Sequence, residues 1–212
     1  MNQRGLLFVV AAPSGAGKTT LCKALMESII KQGEKELSWS VSYTTRRPRE
    51  GEADGRDYHF VDDKTFESMS AGGEFAEWAA VHGRRYGTSK SSLDQAAASG
   101  LDLLMEIDIQ GARQLREKYK DACFIFILPP SWDALVRRLR GRGTEPPEEV
   151  EKRLLRARQE ILEWPWFDYI IINDDFDKAV ERLCAVVTCM RSGKELMEPV
   201  VETILRGLQE ER

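Results

Sequence analysis

Five apolar-rich runs punctuate the chain, at residues 6–11, 37–43, 102–107, 123–128 and 169–172. Short apolar runs bounded by polar segments predict strands of a mostly buried sheet. Between them the apolar positions change to helical spacing. Over residues 18–31, Leu21, Ala24, Leu25 and Ile29 share one face, and Gly33 closes the segment. Residues 90–99 read as a helix with Ser89 as its cap and Gly100 as its stop. Ser131 is placed to cap a helix over 132–140, and Pro147 suits the first turn of a longer one reaching about 163. Residues 176–191 and 199–211 complete the helical set. Strands alternating with helices imply right-handed crossovers. The expected fold class is therefore α/β, a three-layer core around a five-stranded parallel sheet.

Residues 46–88 break the rhythm. They carry short alternating pieces at 58–61, 75–80 and 84–87, one brief helix near 64–71, and many glycines. This pattern predicts a small insertion bearing substrate contacts. A second irregular stretch, 141–147, separates two arginine-bearing helices and suits a mobile lid. The acidic cluster at 145–151 reads as a solvated helix start favoured by the positive end of the helix dipole.

Composition narrows the class. A chain of 212 residues suits one domain, or a core with a small insertion. With 31 Lys+Arg against 35 Asp+Glu, the net charge of −4 argues against a dedicated nucleic-acid or anionic-membrane binder. Cys22, Cys123, Cys184 and Cys189 lack metal-ligand spacing and are too sparse for a disulfide framework. His59 and His82 are the only histidines, so no structural zinc site is expected; both read as loop residues. Arg4 followed by residues 6–12 resembles the start of a secretory leader, yet the apolar run has the minimum length for one. It serves better as a buried strand, and no run approaches the ~20 apolar residues a membrane span needs. A cytoplasmic protein is expected.

The chemistry begins directly after that first run. Ala12, Pro13, Ser14, Gly15, Ala16, Gly17, Lys18 and Thr19 follow a strand and open an amphipathic helix. That is the context of a P-loop, whose backbone N–H groups and helix N-terminus wrap a polyphosphate. Lys18 can reach the outer phosphates, and the Thr19 hydroxyl can ligate Mg²⁺. Ala12 departs from the strict pattern, which has glycine there; alanine costs little where φ stays negative. Glu106 and Asp108 end the apolar run 102–107, a usual place for acids beside a P-loop. Further on, Arg46 and Arg49 are close enough to converge on one anion, with the Tyr58 hydroxyl completing a clamp.

The segment from Thr44 to Phe60 reads Thr44-Thr45-Arg46, two residues, Arg49, two, Glu52, two, Gly55, two, Tyr58, one, Phe60. In this it resembles the guanylate kinase family, whose signature fills every one of those positions. Similar blocks follow at Glu74 to Trp78, Tyr86-Gly87-Thr88, Glu106 to Gly111, Pro129-Pro130-Ser131, Arg138 to Thr144, and Asn173-Asp174-Asp175. The resemblance covers residues 5–190. It implies a core of residues 1–41, 89–137 and 159–190, a GMP-binding insertion over about 42–88, and a lid over about 138–158. Residues 191–212 form a C-terminal helical extension outside it, whose apolar spacing favours packing within the chain.

The resemblance further implies that Arg46, Arg49, Tyr58 and Tyr86 hold the GMP phosphate. Glu77 would accept from guanine N1–H and the exocyclic amine, with Ser42, Thr88, Glu106 and Asp108 completing the acceptor site. Lys18 and the P-loop through Thr20 would bind ATP. Arg138, Arg142 and Arg153 would close over its phosphates, and Asn173 would contact the adenine side. Arg137, Arg140, Arg156 and Arg158 have no such match and read as solvated helix residues. The implied reaction is MgATP + GMP ⇌ ADP + GDP, with dGMP as a further acceptor, in purine metabolism and GMP recycling. The acceptor phosphate ionises near pH ~6, so no general base is required. ATP and GMP are the implied partners, with Mg²⁺ as cofactor; no nucleic acid or membrane partner is implied, and the oligomeric state stays open. A peptide-binding relative without catalysis, a P-loop kinase for another phosphorylated acceptor, and a GTPase are the rival readings. The intact Gly17-Lys18-Thr19 and the paired sets of arginines weigh against them.

Overall fold

The strand Leu7–Ala11 (β1) is buried from both sides: Phe8 and Val10 face one apolar cluster, Val9 and Ala11 another, all at 0% exposure. Such a strand belongs at the centre of a covered sheet. The computed structural model describes residues 5–34, 37–81, 83–141, 146–193, 197–198 and 201. It pairs β1 in parallel with Asp102–Glu106 (β7) on one side and Cys123–Leu128 (β8) on the other. Leu37–Trp39 (β2) adds beyond β7, and Tyr169–Ile172 (β9) beyond β8, giving the expected five parallel strands.

Helices cover both faces. Lys18–Lys31 (α1) and Phe176–Arg191 (α7) pack Leu21, Leu25, Ile29, Leu183 and Val187 on one side. Lys90–Ala98 (α3) and Ile109–Lys118 (α4) pack Leu93, Ile109, Ala112 and Leu115 on the other. Each fully buried aliphatic or aromatic side chain contributes roughly 1.5–3 kcal/mol of transfer free energy. Trp132–Arg140 (α5) and Pro147–Ile161 (α6) carry a cluster of their own, Leu135, Leu139, Val150, Leu154 and Ala157. The Ser131 hydroxyl caps α5 by accepting the Ala134 N–H at 3.1 Å, and Pro147 opens α6.

A second, four-stranded sheet is built from the region that broke the rhythm. Tyr43–Thr44 (β3) lies between His59–Phe60 (β4), parallel to it, and Arg84–Ser89 (β6), antiparallel. Phe75–Val81 (β5) forms the far edge on β6, with a bulge between Phe75 and Glu77. The helix Asp63–Ala71 (α2) seats Phe66 on Phe75, ring centroids 4.6 Å apart. Lys118 and Gln114 of α4 bond the Ala76 and Trp78 carbonyls at 2.7 Å each, fixing this sheet to the core.

Several expectations change. Residues 37–43 do not form one strand: β2 ends at Trp39, Ser40 makes a last bond to the Leu104 carbonyl at 2.9 Å, and β3 joins the other sheet. The helix α4 has no counterpart in the sequence reading. Ser89 stands at the start of α3, but its hydroxyl bonds Ser91 at 2.8 Å and caps no backbone N–H. His59 is a strand residue stacked on Tyr43, not a loop residue. Arg142, His82 and all but one residue of the expected helix over 199–211 lie outside the described residues.

Candidate active site

The cradle between β1 and α1 requires two left-handed residues, Gly15 at φ 90° and Gly17 at φ 92°. An alanine Cβ at Gly17 would stand 2.6 Å from Asn173 Nδ2, which donates to the Ala16 carbonyl at 2.7 Å. Asn173, at the end of β9, thus braces the turn. Pro13 accepts the Ala16 N–H at 3.1 Å, and Ala12 packs against the α1–α7 core. Lys18 Nζ donates to the Ile107 carbonyl at 2.5 Å and lies 3.8 Å from the Glu106 carboxylate. The Thr19 hydroxyl donates to the same carboxylate.

Helices α5 and α6 reach the cradle with side chains. Arg138 Nη2 donates to the Asn173 carbonyl at 2.9 Å, while Nη1 is buried with no hydrogen-bond partner among the described residues. A buried guanidinium N–H without an acceptor is costly, so this atom calls for an anionic or carbonyl oxygen. Arg153 forks Ser14 Oγ through Nε and Nη2 at 3.0 and 2.8 Å. Glu160 accepts the Ser14 N–H at 3.1 Å, and burial raises its carboxyl above the usual range. A cleft of about 560 Å³ opens here, lined by Gly15, Gly17, Thr20, Arg138, Asn173 and Phe176 among others.

Lys18 and Thr19 line a second cavity of about 480 Å³. It gathers Ser42, Arg46, Arg49, Tyr58, Glu77, Tyr86, Glu106 and Asp108, all anticipated from the sequence. Thr88 sits behind the wall, its hydroxyl donating to Glu77 Oε1 at 2.7 Å and lying 3.1 Å from Ser42 Oγ. At this end Glu77 is 3% exposed. Burial pushes its carboxyl up to about 7; the Thr88 hydroxyl pulls the other way, and the charge of Asp108 adds to the rise. Asp108 caps α4 by accepting the Gly111 N–H at 2.9 Å. A Cβ at Gly111 would meet Glu77 Oε2, so glycine lets the helix approach this carboxylate without displacing it. At the other end the Arg46 guanidinium lies over the Tyr58 ring at 5.3 Å and pairs with Glu52 at 2.8 Å. Burial, then the charge of Glu106, pushes the Tyr58 phenol up to about 12, so it stays protonated and can donate.

The guanylate kinase family model matches residues 4–189. A guanylate kinase of Geobacter metallireducens is 50% identical over 208 residues, 98% of this chain and 100% of that protein. One from Dechloromonas aromatica is 52% identical over 183 residues, 86% of this chain and 88% of its own. The crystal structure of guanylate kinase from Anaplasma phagocytophilum superposes with a TM-score of 0.70 at 30% identity, covering 93% of this chain and 95% of that one. The chain belongs to the guanylate kinase family. It is a nucleoside monophosphate kinase, an ATP:GMP phosphotransferase.

Within this guanylate kinase fold, Gly15, Gly17, Thr20, Arg138 and Asn173 line the first cavity, Lys18, Thr19 and most of the residues expected at the acceptor site line the second, and Thr88 and Arg153 line neither. Glu52 and Glu160 were not singled out by the sequence. Glu52 stands in the Thr44–Phe60 signature, where its spacing was visible but its contact was not. Glu160 carries no sequence signal, being one more acid on a charged helix. Trp166 stacks on Phe167, ring centroids 3.9 Å apart, whereas Trp164 is 51% exposed. Among the described residues, no helix is long and apolar enough to cross a membrane.

Proposed function

We propose that ATP binds through the Ala12–Thr20 cradle and the 560 Å³ cleft, and GMP in the 480 Å³ cavity, so that the phosphoryl group passes beside Lys18. The observation that carries this reading is that the cradle borders both cavities, Gly15, Gly17 and Thr20 lining the first and Lys18 and Thr19 the second, with arginines in each lining. In this reading residues 42–88 form the GMP-binding insertion, about 138–158 the lid, and 191–212 a C-terminal extension.

Arg46, Arg49, Tyr58 and Tyr86 hold the GMP phosphate, and the ionised Glu77 accepts from guanine N1–H and the exocyclic amine. Adenine offers no such donor pair, so it would leave a buried carboxylate unpaired. Ser42 and Thr88 fix the Glu77 rotamer, and Asp108 supports the same wall. Lys18, Arg138, Arg142 and Arg153 neutralise the transferring group, and Asn173 stands at the adenine end. The acceptor phosphate is already largely ionised at neutral pH. Positioning and charge stabilisation therefore suffice, without a general base.

The Thr19 hydroxyl and the Glu106 carboxylate are hard oxygen donors in mutual contact at the cradle. Among the described residues there is no cluster of three or more acidic, histidine or cysteine side chains suited to a metal. That donor set fits Mg²⁺, which keeps waters and substrate phosphates around it. Thr19 would ligate the ion, with Glu106 orienting its shell. When bound, Mg²⁺ supplies charge neutralisation of the phosphates. ATP and GMP as substrates support a cytoplasmic location, with no nucleic-acid or membrane partner.

The test is ADP release from MgATP with GMP, dGMP, AMP, UMP and CMP offered in turn. Turnover on GMP, and AMP slower by at least ~10², is the expected result. No turnover on any acceptor, from folded protein that still binds GMP, would overturn it in favour of a binding module.

A further inference from the structure

The acceptor cavity contains an acid that none of the assigned roles uses. Glu52 closes the turn from Arg49 to Glu52, donating its own N–H to the Arg49 carbonyl at 3.1 Å. Gly51 occupies the third position of that turn at φ 82°, the conformation a type II turn requires and glycine supplies without strain. So placed, the carboxylate uses both oxygens on the arginine pair. Oε1 accepts from Arg46 Nη2 at 2.8 Å, and Oε2 accepts the Arg49 backbone N–H at 2.8 Å. The other terminal nitrogen of Arg46 donates to the Arg47 carbonyl at 2.8 Å. Its guanidinium is further held over Tyr58 and Phe60 at 5.3 and 5.7 Å. Both side chains of the pair are largely shielded, 14% and 19% exposed.

A negative charge inside a pocket for a phosphate dianion is unfavourable on its face. It also holds the Arg46 guanidinium, which would otherwise sample many rotamers, and fixes the backbone from which the Arg49 side chain projects. We infer that Glu52 is a positioning residue, which presents Arg46 and Arg49 as a preformed clamp for the phosphate of the acceptor nucleotide. This rests on the acceptor reading of the cavity proposed above. Preorganisation lowers the ordering cost of binding, and the gain appears only when the ligand carries a phosphate. The opposing idea is that Glu52 is a placeholder, occupying Arg46 until phosphate displaces it. The two ideas predict opposite signs.

The experiment compares wild type with Glu52→Ala and Glu52→Gln. It measures KM for GMP, Kd for guanosine, KM for ATP, and Tm. Glu52→Ala is expected to raise KM for GMP by ~10- to 100-fold, the scale of lost charge-assisted bonds. Guanosine, which lacks the phosphate, is expected to bind within about twofold of wild type. Glu52→Gln keeps an acceptor and is expected to recover part of the loss. Unchanged or tighter GMP binding in Glu52→Ala would overturn the inference, tighter binding in favour of the placeholder. So would a parallel loss of GMP, guanosine and ATP affinity with a fall in Tm, which would mark a merely structural role. Wild-type protein that fails to bind GMP would instead overturn the acceptor reading itself.

Discussion

In the proposed reading, the donor cradle and the acceptor cavity hold phosphate by different means. The cradle is nearly contiguous: two left-handed glycines turn the chain, a helix N-terminus faces the ligand, and Lys18 follows at once. Its binding groups are mostly backbone N–H groups, whose directions follow from φ and ψ alone. The acceptor cavity draws its side chains from β5, β6, the β3–β4 connection and the end of β7. No short segment contains it, and three of its charged groups are held by partners: Arg46 by Glu52, Glu77 by Thr88, Asp108 by the start of α4. A backbone site tolerates changes in neighbouring side chains, whereas a side-chain site fails when one supporting contact is removed.

The largest expected effect separates the two sites cleanly. Lys18→Met is expected to lower kcat by ~10²–10³, the scale of one lost charge-stabilising donor. Guanosine affinity is expected to stay within a few-fold. A parallel loss of guanosine binding, read by calorimetry, would mean that the sites are not independent.

Next comes Glu77→Gln, expected to reduce kcat/KM for GMP by ~10- to 100-fold while leaving KM for ATP alone. The same variant sharpens the comparison through stability. Burial holds the Glu77 carboxyl at about 7, against an ordinary 4.5, so the folded protein prefers the neutral acid. Stability from this group is full below pH 4.5 and is lost as pH rises through 7. That difference corresponds to on the order of 3 kcal/mol. Substrate-free Glu77→Gln is therefore expected to melt above wild type at pH 8, the gap closing towards pH 4.5. Equal melting temperatures at pH 8 would refute the buried-acid account.

Smaller, and specific to the acceptor side, is a pH dependence of guanosine binding. A protonated Glu77 cannot accept two N–H donors in the same way. Guanosine affinity is thus expected to weaken below pH 7, approaching tenfold per pH unit. Guanosine removes the ionisation of the acceptor phosphate from the measurement. ATP affinity measured in parallel is expected not to follow this curve. The smallest effect belongs to neither site. Arg140 pairs with Glu151 at 3.0 Å on the surface, both more than 60% exposed. Arg140→Ala is expected to change stability by under ~1 kcal/mol and leave turnover unaltered.

How much of this was legible beforehand follows the same division. Lys18 to Lys31, Trp132 to Arg140 and Phe176 to Arg191 are helices with the expected ends, because apolar spacing and caps are local signals. Residues 37–43 looked like one strand because strand propensity says nothing about the partner. Ser40 still bonds β7, whereas Tyr43 and Thr44 pair with β4 and β6. The helix α4 escaped notice because Gly111 weakens a short, polar segment. Its reason is tertiary, the approach of Gly111 to Glu77. Glu52 shows in the sequence only as a signature position and Glu160 as an ordinary acid; their contacts with Arg46 and Ser14 are tertiary.

By itself, the sequence determined the strand–helix alternation and the cradle, and it supplied the cations to which phosphate binding is assigned in the proposed reading, since all of these are written in neighbouring residues. The tertiary structure alone decided that the Glu77 carboxylate becomes buried enough to rise to about 7. It also decided which acid steadies which arginine, and that consecutive residues of one cradle border two cavities, Gly17 and Thr20 the first, Lys18 and Thr19 the second. Burial and pairing depend on segments distant in the chain, and no local pattern encodes the distance between them.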